Sequence, residues 1–530
     1  VRPSKVISLE SAAKLIRDND VVTVSSSSGL GCPDAMLAAI GARFDAESHP
    51  RNLTLLHPIA AGDMYGIKGV DHIAKKGLIE TIIAGSFPSG PSSRTMPDIW
   101  HLVVNNEIRG YNLPSGVLFD MHREVAAKRP GVMTKVGLDT YVDPARQGGA
   151  MNALAAEHPI VEKVHFNGDE WLFYKNVVPR VAIVRATTAD ERGNLSFEHE
   201  GALLGGRDQA LAVRNNGGIV IAQVKRVVKA GSLHTQQVHI PCNLVDYVVV
   251  DPVQKQTTQI DYDPAISGEV KLPDSAFEFA DWNADKVIAR RAATELAQND
   301  AVNLGFGISA NVPRILLEEG YRDDVTWVIE QGAVGGVPLL GFAFGCAGNA
   351  DAIMPSPSQF VYFQGGGFDV SLLSFLQVDR LGNVNVSKLP GKPYLTAGCG
   401  GFIDITTHAK RIVFNGYFTA GAQIEVGDGR LTIVKEGKKK FISDVDHVTF
   451  SGRISRERNQ DVLYVTERCV IRLGDAGLEV SEIAPGIDLQ KDVLDQSDVE
   501  LGVSSDLKIM DASIFTDAPF GLTLKEARHV

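Results

Sequence analysis

The sequence predicts an α/β protein of two related α/β domains, each an open mixed sheet covered by helices. Three observations predict it. Short apolar strands alternate with amphipathic helices along the chain. A stretch near the start returns 280 positions later, and a polar turn motif returns in the same order.

In the first echo, Ala12-Ala13 returns as Ala292-Ala293, Asn19-Asp20 as Asn299-Asp300, Val22 as Val302, Pro33 as Pro313 and Leu37 as Leu317. Each copy reads as a short amphipathic helix ending at Asn-Asp, then an apolar strand, a small-residue loop and a helix with proline in its first turn. The strands are placed at 21–24 and 301–304. In the second echo, Asp190-Glu191-Arg192-Gly193-Asn194-Leu195 matches Asp379-Arg380-Leu381-Gly382-Asn383-Val384, each after a strand-like run at 181–184 or 371–377. Asp-x-x-Gly-Asn is a tight-turn sequence in its own right. Two echoes in one order favour duplication over two unrelated hairpins.

From 251 to 284 the chain turns polar, with Gln254-Lys255-Gln256-Thr257-Thr258-Gln259. This reads as a linker, giving domains at 1–255 and 284–530 joined by 256–283. Residues 461–465 and 469–473 read as further buried strands, and Phe402-Ile403-Asp404-Ile405 as strand-like.

Composition narrows the function. The 530 residues are 44% hydrophobic and 22% charged, ordinary for a globular protein. A net charge of −12 argues against nucleic acid as a partner. Lys438, Lys439 and Lys440 form the one conspicuous basic run and read as a solvated hairpin face after the Gly437 turn. The five cysteines (Cys32, Cys242, Cys346, Cys399 and Cys469) are scattered, as expected of reduced thiols in the cytoplasm. The thirteen histidines form no H-E-x-x-H, so no metal site is expected. No apolar run is long enough for a bilayer, and Val1-Arg2-Pro3-Ser4-Lys5 does not lead into a signal-peptide core. The expectation is a cytoplasmic protein with no membrane partner.

The chemistry is expected where Val325-Thr326-Trp327-Val328-Ile329, a buried-strand pattern, ends on Glu330 and Gln331-Gly332-Ala333-Val334-Gly335-Gly336 follows. A carboxylate at the carboxyl end of a strand, before a glycine-rich loop, is where open α/β sheets keep their sites. Glycines let the backbone approach a ligand and leave N–H groups to donate. A bland alternative makes Glu330 a helix cap. A second cluster, Gly398-Cys399-Gly400-Gly401 after Lys392-Pro393-Tyr394, strengthens the first reading.

Glu-x-Gly-x-x-Gly-Gly at 330–336 resembles the nucleophile motif of family I CoA-transferases. The resemblance runs on through Gln364-Gly365-Gly366-Gly367-Phe368-Asp369-Val370, Gly382-Asn383, Gly400-Gly401, Thr466-Glu467-Arg468 and Ile483-Ala484-Pro485-Gly486-Ile487-Asp488. In the first half it covers Gly116-Val117-Leu118, Pro130-Gly131-Val132, Val142-Asp143-Pro144 and Gln147-Gly148-Gly149. The nearest likeness is to single-chain acetate/propionate enzymes, acetoacetate users included, which fuse an α-like and a β-like half.

The resemblance implies CoA transfer from a short-chain acyl-CoA to a free carboxylic acid, by ping-pong kinetics through a glutamyl-CoA thioester on Glu330. It implies no bound cofactor, CoA being substrate and covalent intermediate, and a homo-oligomer, dimer or tetramer. Carried over by position, Gly401 N–H becomes an oxyanion donor beside Gly400, and Asn303 lies near the catalytic carboxylate. Gly332, Gly335, Gly336 and Gly398 are expected in the CoA-binding loops. The family has Pro-Gln-Gly where this chain has Pro114-Ser115-Gly116, so Ser115 stands where a glutamine reaches the acyl oxygen.

Two rival readings are specific. An acyl-CoA hydrolase would use the same residues with water as acceptor. A dinucleotide enzyme would use Gly305-x-Gly307-x-x-Ala310, with Glu330 on a ribose hydroxyl. Two clusters stay open at this point. Ser25-Ser26-Ser27-Ser28-Gly29-Leu30-Gly31 reads equally as a pocket lining or a packing loop, and Glu198-His199-Glu200 as an acid–base cluster or a solvated loop.

Overall fold

The computed structural model describes residues 4–89, 95–389, 391 and 398–527. Lys392, Pro393 and Tyr394 lie outside the described residues, as do Val1, Arg2 and Pro3.

The echoes become matching strand order and register. In the first half five parallel strands lie in the order Tyr247–Val250, Ile219–Val228, Val181–Asp190, Val21–Val24 and Leu53–His57. In the second half the order is Asp461–Val465, Arg411–Asn415, Val370–Ser374, Ala301–Leu304 and Thr326–Val328, again all parallel. Registers match too: Val21 faces Thr54 as Ala301 faces Thr326, and Val22 faces Val181 as Val302 faces Val370. Valine, isoleucine and leucine fill these strands because helices cover both faces. Val181–Asp190 is buried at all ten positions. Each half then extends differently. Ile79–Ala84 and Arg109–Asn112 add parallel strands to the first sheet, whereas Cys469–Gly474 and Gly477–Ile483 add antiparallel ones to the second. Both sheets are open, and helices cover them, as expected.

The shared polar motifs are equivalent at the level of hydrogen bonds. Asp190 Oδ1 accepts from Arg192 N and Asn194 N at 2.9 and 3.0 Å, and Asp379 Oδ1 accepts from Leu381 N and Asn383 N at the same distances. In each, the asparagine Nδ2 donates to the other oxygen at 2.9 Å. Asn19 and Asn299 turn the chain in left-handed conformations, φ 64° and 65°, which asparagine tolerates.

Three local expectations change. Residues 402–405 belong to a helix, Phe402–His408, although Phe and Ile favour strands. Burial of its first six residues outweighs that propensity, and Thr406 and Thr407 hydroxyls donate to the carbonyls of Phe402 and Ile403 one turn back. Lys438 and Lys439 form an exposed strand, but Lys440 turns inward, its ammonium 4.1 Å from the centre of the Phe375 ring. Glu198-His199-Glu200 is held in ion pairs and a ring stack rather than in a free solvated loop. Glu200 is buried in an ion pair with Arg185 at 3.0 Å, Glu198 pairs with Arg226 at 2.8 Å, and His199 stacks on Tyr262.

Residues 251–283 hold one short 3₁₀ turn, Asp274–Ala276, and are otherwise coil. They are packed coil: Thr257, Ala265 and Ile266 are buried, and Gln256 Nε2 donates to His199 O at 2.8 Å.

Candidate active site

A cavity of about 410 Å³ draws its lining from both halves. Ser27, Ser28 and Ser86 come from the first half, and Glu330, Phe375 and Gly401 from the second. The two strand ends that face it are equivalent: Ser25-Ser26-Ser27-Ser28 follows Val21–Val24, and Gly305-Phe306-Gly307 follows Ala301–Leu304. The serine loop therefore lines the pocket through Ser27, Ser28 and Gly29.

Glu330 stands two residues past the strand Thr326–Val328, on the next strand end along the sheet. Burial pushes its carboxyl up to about 7, against the opposing effect of a hydrogen bond from Gly401 N–H. The approach is close. A Cβ on Gly401 would lie 2.6 Å from Glu330 Oε2 and 2.7 Å from the Phe360 ring, so only glycine leaves the carboxylate its place. Gly400 also faces Glu330, its hypothetical Cβ 3.9 Å from Oε1. Gln331 reaches across the cavity floor, Nε2 donating to Ser27 Oγ at 3.2 Å and, more weakly, to Glu330 Oε1 at 3.4 Å.

The glycine turn is hung from the opposite half. Cys399 N donates to Asn112 Oδ1 at 2.9 Å, Gly400 N to Gly85 O at 2.8 Å, and Ser115 N donates back to Gly400 O at 2.9 Å. One turn into the helix Phe402–His408, the Asp404 carboxyl accepts from Gly116 N at 2.9 Å and Gln364 Nε2 at 3.0 Å. Burial raises Asp404 to about 8, with Asp120 and Glu330 adding to the rise.

A protein-family description, Coenzyme A transferase, matches residues 6–251. The chain is 43% identical to the caffeate CoA-transferase of Acetobacterium woodii over 525 residues, covering 98% of this chain and 99% of that one. It is 41% identical to the acetate CoA-transferase YdiF of Escherichia coli, covering 99% and 97%. This chain belongs to the CoA-transferases. The crystal structure of the Escherichia coli O157:H7 acyl-CoA transferase YdiF apoenzyme superposes with a TM-score of 0.92 at 38% identity, covering 99% of this chain and all of that one. The structure described as its thioester complex with CoA superposes with a TM-score of 0.90. Membership in this family makes the protein an acyl-CoA:carboxylate CoA-transferase whose small-molecule partners are an acyl-CoA and a carboxylic acid, and it sets the dinucleotide reading aside. Glu330, which that reading needs on a ribose, faces Gly401, and Gly305-Phe306-Gly307 opens onto a 3₁₀ turn, Ile308–Asn311, before a seven-residue helix.

Within this CoA-transferase the expected site residues separate into two groups. Glu330, Gly398, Gly400 and Gly401 line the cavity. Asn303 and Ser115 are fully buried and do not. Asn303 spans its sheet, donating to Val328 O at 3.3 Å and accepting from Ser371 Oγ at 3.1 Å, so it braces the strand that presents Glu330. The Ser115 hydroxyl is packed against Gly85, whose hypothetical Cβ would come within 2.4 Å of Oγ, and has no hydrogen-bond partner. Gly332, Gly335 and Gly336, all at positive φ, also stand off the cavity. Their missing side chains admit the segment 348–354: a Cβ on Gly332 would lie 1.9 Å from Met354 O. They shape the Glu330 loop by tight packing.

Sequence reasoning missed the aromatic wall. Phe306, Phe342, Phe344 and Phe375 line the cavity, with Phe306 against Phe344 at 5.2 Å and Tyr65 of the first half against Phe342 at 5.3 Å. The available signal was Leu340-Gly341-Phe342-Ala343-Phe344, a run in which large apolar residues alternate with small ones. Among the described residues no group of His, Cys, Asp or Glu could hold a metal, and no helix is long and apolar enough to cross a membrane.

Proposed function

We propose that Glu330 is the nucleophile of this CoA-transferase and that Gly401 N–H stabilises the oxyanions formed around it. One observation carries the reading: a buried carboxylate whose oxygen lies against a backbone N–H at a glycine with no room for a side chain, inside a cavity shared by both halves. The Glu330 carboxylate attacks the acyl-CoA carbonyl, forming a mixed anhydride and expelling the CoA thiolate. The thiolate attacks the glutamyl carbonyl, leaving a Glu330–CoA thioester and the first carboxylate. The second acid runs these steps in reverse, which gives ping-pong kinetics.

The chemistry fits the environment. A carboxylate held at about 7 is more basic than a free one, hence a better nucleophile once ionised. One oriented donor at a developing oxyanion is worth about 3 kcal/mol. Apolar rings around the reacting group keep water from the anhydride and thioester. The five free thiols, four of them buried, fit a reducing compartment; we assign the enzyme to the cytoplasm, as a homo-oligomer of two or four chains.

Incubation with an acyl-CoA alone should add the mass of CoA less one water to the peptide holding Glu330. Borohydride should reduce that thioester and inactivate the enzyme. CoA attached elsewhere, or steady release of free thiol in place of a new acyl-CoA, would sink this reading.

A further inference from the structure

We propose that Asn112 is a positioning residue of the reaction, fixing the Cys399–Gly401 turn from the opposite half so that Gly401 N–H alone is left to face the reacting carboxyl. The inference rests on the assignment of Glu330 and Gly401 above and extends it to a residue that touches neither substrate nor nucleophile.

Asn112 ends the strand Arg109–Asn112 and is fully buried. Its amide is saturated. Nδ2 donates to Ala84 O at 2.9 Å and Gly85 O at 2.7 Å, while Oδ1 accepts from Cys399 N at 2.9 Å and from the Tyr141 hydroxyl. Two donors and two lone pairs are all an amide side chain has, so its orientation is determined by four partners. No other residue type of this size offers both donors and acceptors in this plane.

Three successive backbone N–H groups leave the turn. Cys399 N is taken by Asn112 Oδ1 and Gly400 N by Gly85 O, the same carbonyl that Asn112 Nδ2 holds. Only Gly401 N–H is left on the Glu330 side, where a Cβ on Gly401 would lie 2.6 Å from Glu330 Oε2. The fit is close on the other side as well, since a Cβ on Gly398 would lie 2.7 Å from Asn112 Nδ2. Two successive N–H groups tied to one half therefore aim the third at a carboxylate of the other. A donor displaced by a fraction of an ångström loses much of its effect on an oxyanion.

The test compares Asn112→Ala and Tyr141→Phe with the parent enzyme. The titratable groups around Glu330 are Cys399 and Asp404 on the turn and following helix, and Asp63 across the cavity. Burial holds the Cys399 thiol and the Asp63 carboxyl above their ordinary values, and neither variant replaces them. Gly401 N–H favours the ionised Glu330, so a loosened turn raises its titration point and moves the acid limb of kcat/KM to higher pH. Asn112→Ala should lower kcat by on the order of 10²-fold, the loss seen when one oxyanion donor is removed, with KM for the acyl-CoA little changed. Tyr141→Phe, which removes one of four partners and keeps the packing, should show the same limb shift with a smaller loss, roughly 3- to 10-fold. If Asn112→Ala does not fold, Tyr141→Phe carries the test alone. An acid limb that stays in place, or a loss confined to KM, overturns the proposal. Trapping of CoA on Glu330 in the parent enzyme keeps the two failures apart: a parent that forms no adduct there refutes the Glu330 assignment instead.

Discussion

Replacing Glu330 with glutamine removes a charge from a place that resists one, and the consequence for stability can be worked out from the structure. The carboxyl titrates at about 7 in the folded protein and 4.5 ordinarily. Between those values the unfolded chain gives up its proton while the folded chain keeps it, so stability falls as pH rises and the loss is complete above about 7. At 1.36 kcal/mol per unit the gap is worth about 3 kcal/mol, of which roughly 2–3 kcal/mol develops between pH 5 and 8. Glu330→Gln keeps the shape, binds no titrating proton and should escape that loss. Its stability advantage over the parent should therefore grow from slight at pH 5 to about 2–3 kcal/mol at pH 8, a separation of roughly 5 °C or more in unfolding midpoint for halves of this size. Paired thermal scans at one heating rate across this range measure it, while transferase activity falls to background. Other buried acids, Asp404 among them, are common to both proteins and largely cancel. A stability difference that does not change with pH would refute the reasoning, because Glu330 would then be ionised in the folded protein at pH 5.

The other perturbations are local. Ser115→Ala removes a buried hydroxyl without a partner and should change stability by less than about 1 kcal/mol, leaving the ratio of kcat/KM values among acids unchanged. Ser115→Gln must place about three more heavy atoms against Gly85 and should cost about 1–3 kcal/mol in a denaturant titration. A shift of acid preference beyond about threefold in the alanine variant would mean that the side chain reaches the acyl group. Gly332→Ala combines φ 122° with a Cβ 1.9 Å from Met354 O and should lose more than about 2 kcal/mol. Gly217→Ala, with φ 75° and open space, should lose about 1 kcal/mol. Equal losses in the two would show that the Glu330 loop is not packed against residues 348–354.

Much of this was legible beforehand because it is encoded locally. Strand periodicity placed Val21–Val24 and Ala301–Leu304 at their ends, and the Asp-x-x-Gly-Asn motifs marked two turns that use the same atoms. Glu330 stood out as a strand-end carboxylate before glycines. What escaped was set by contacts between distant segments. The helix at Phe402–His408 is decided by burial rather than by its own residues. Ser115 looked like a pocket residue by analogy with a longer side chain, but a hydroxyl of its reach ends against Gly85. Asn112 pairs with Cys399 across 287 positions, and nothing near it in the chain announces that.

The matched registers allow the ancestor of the two halves to be compared with itself. Thr54 and Thr326 occupy one position in the common scaffold, each donating its N–H to the carbonyl of the aspartate just before the preceding strand, Asp20 or Asp300. Four residues on, one copy carries Glu330 and the other Pro58. Structural turns remote from the cleft have kept their hydrogen bonds, whereas the pair of positions at the chemical centre has diverged completely, from an ionisable side chain to one that can neither ionise nor donate. The two copies therefore differ in what they bring to the cleft: one presents an ionisable carboxyl, and the other holds the turn opposite through Asn112 and Gly85. A cleft between twins has two equivalent mouths in principle. Here Glu330 against Pro58 is one of the differences that break that symmetry, and on the proposed assignment only one mouth carries a nucleophile.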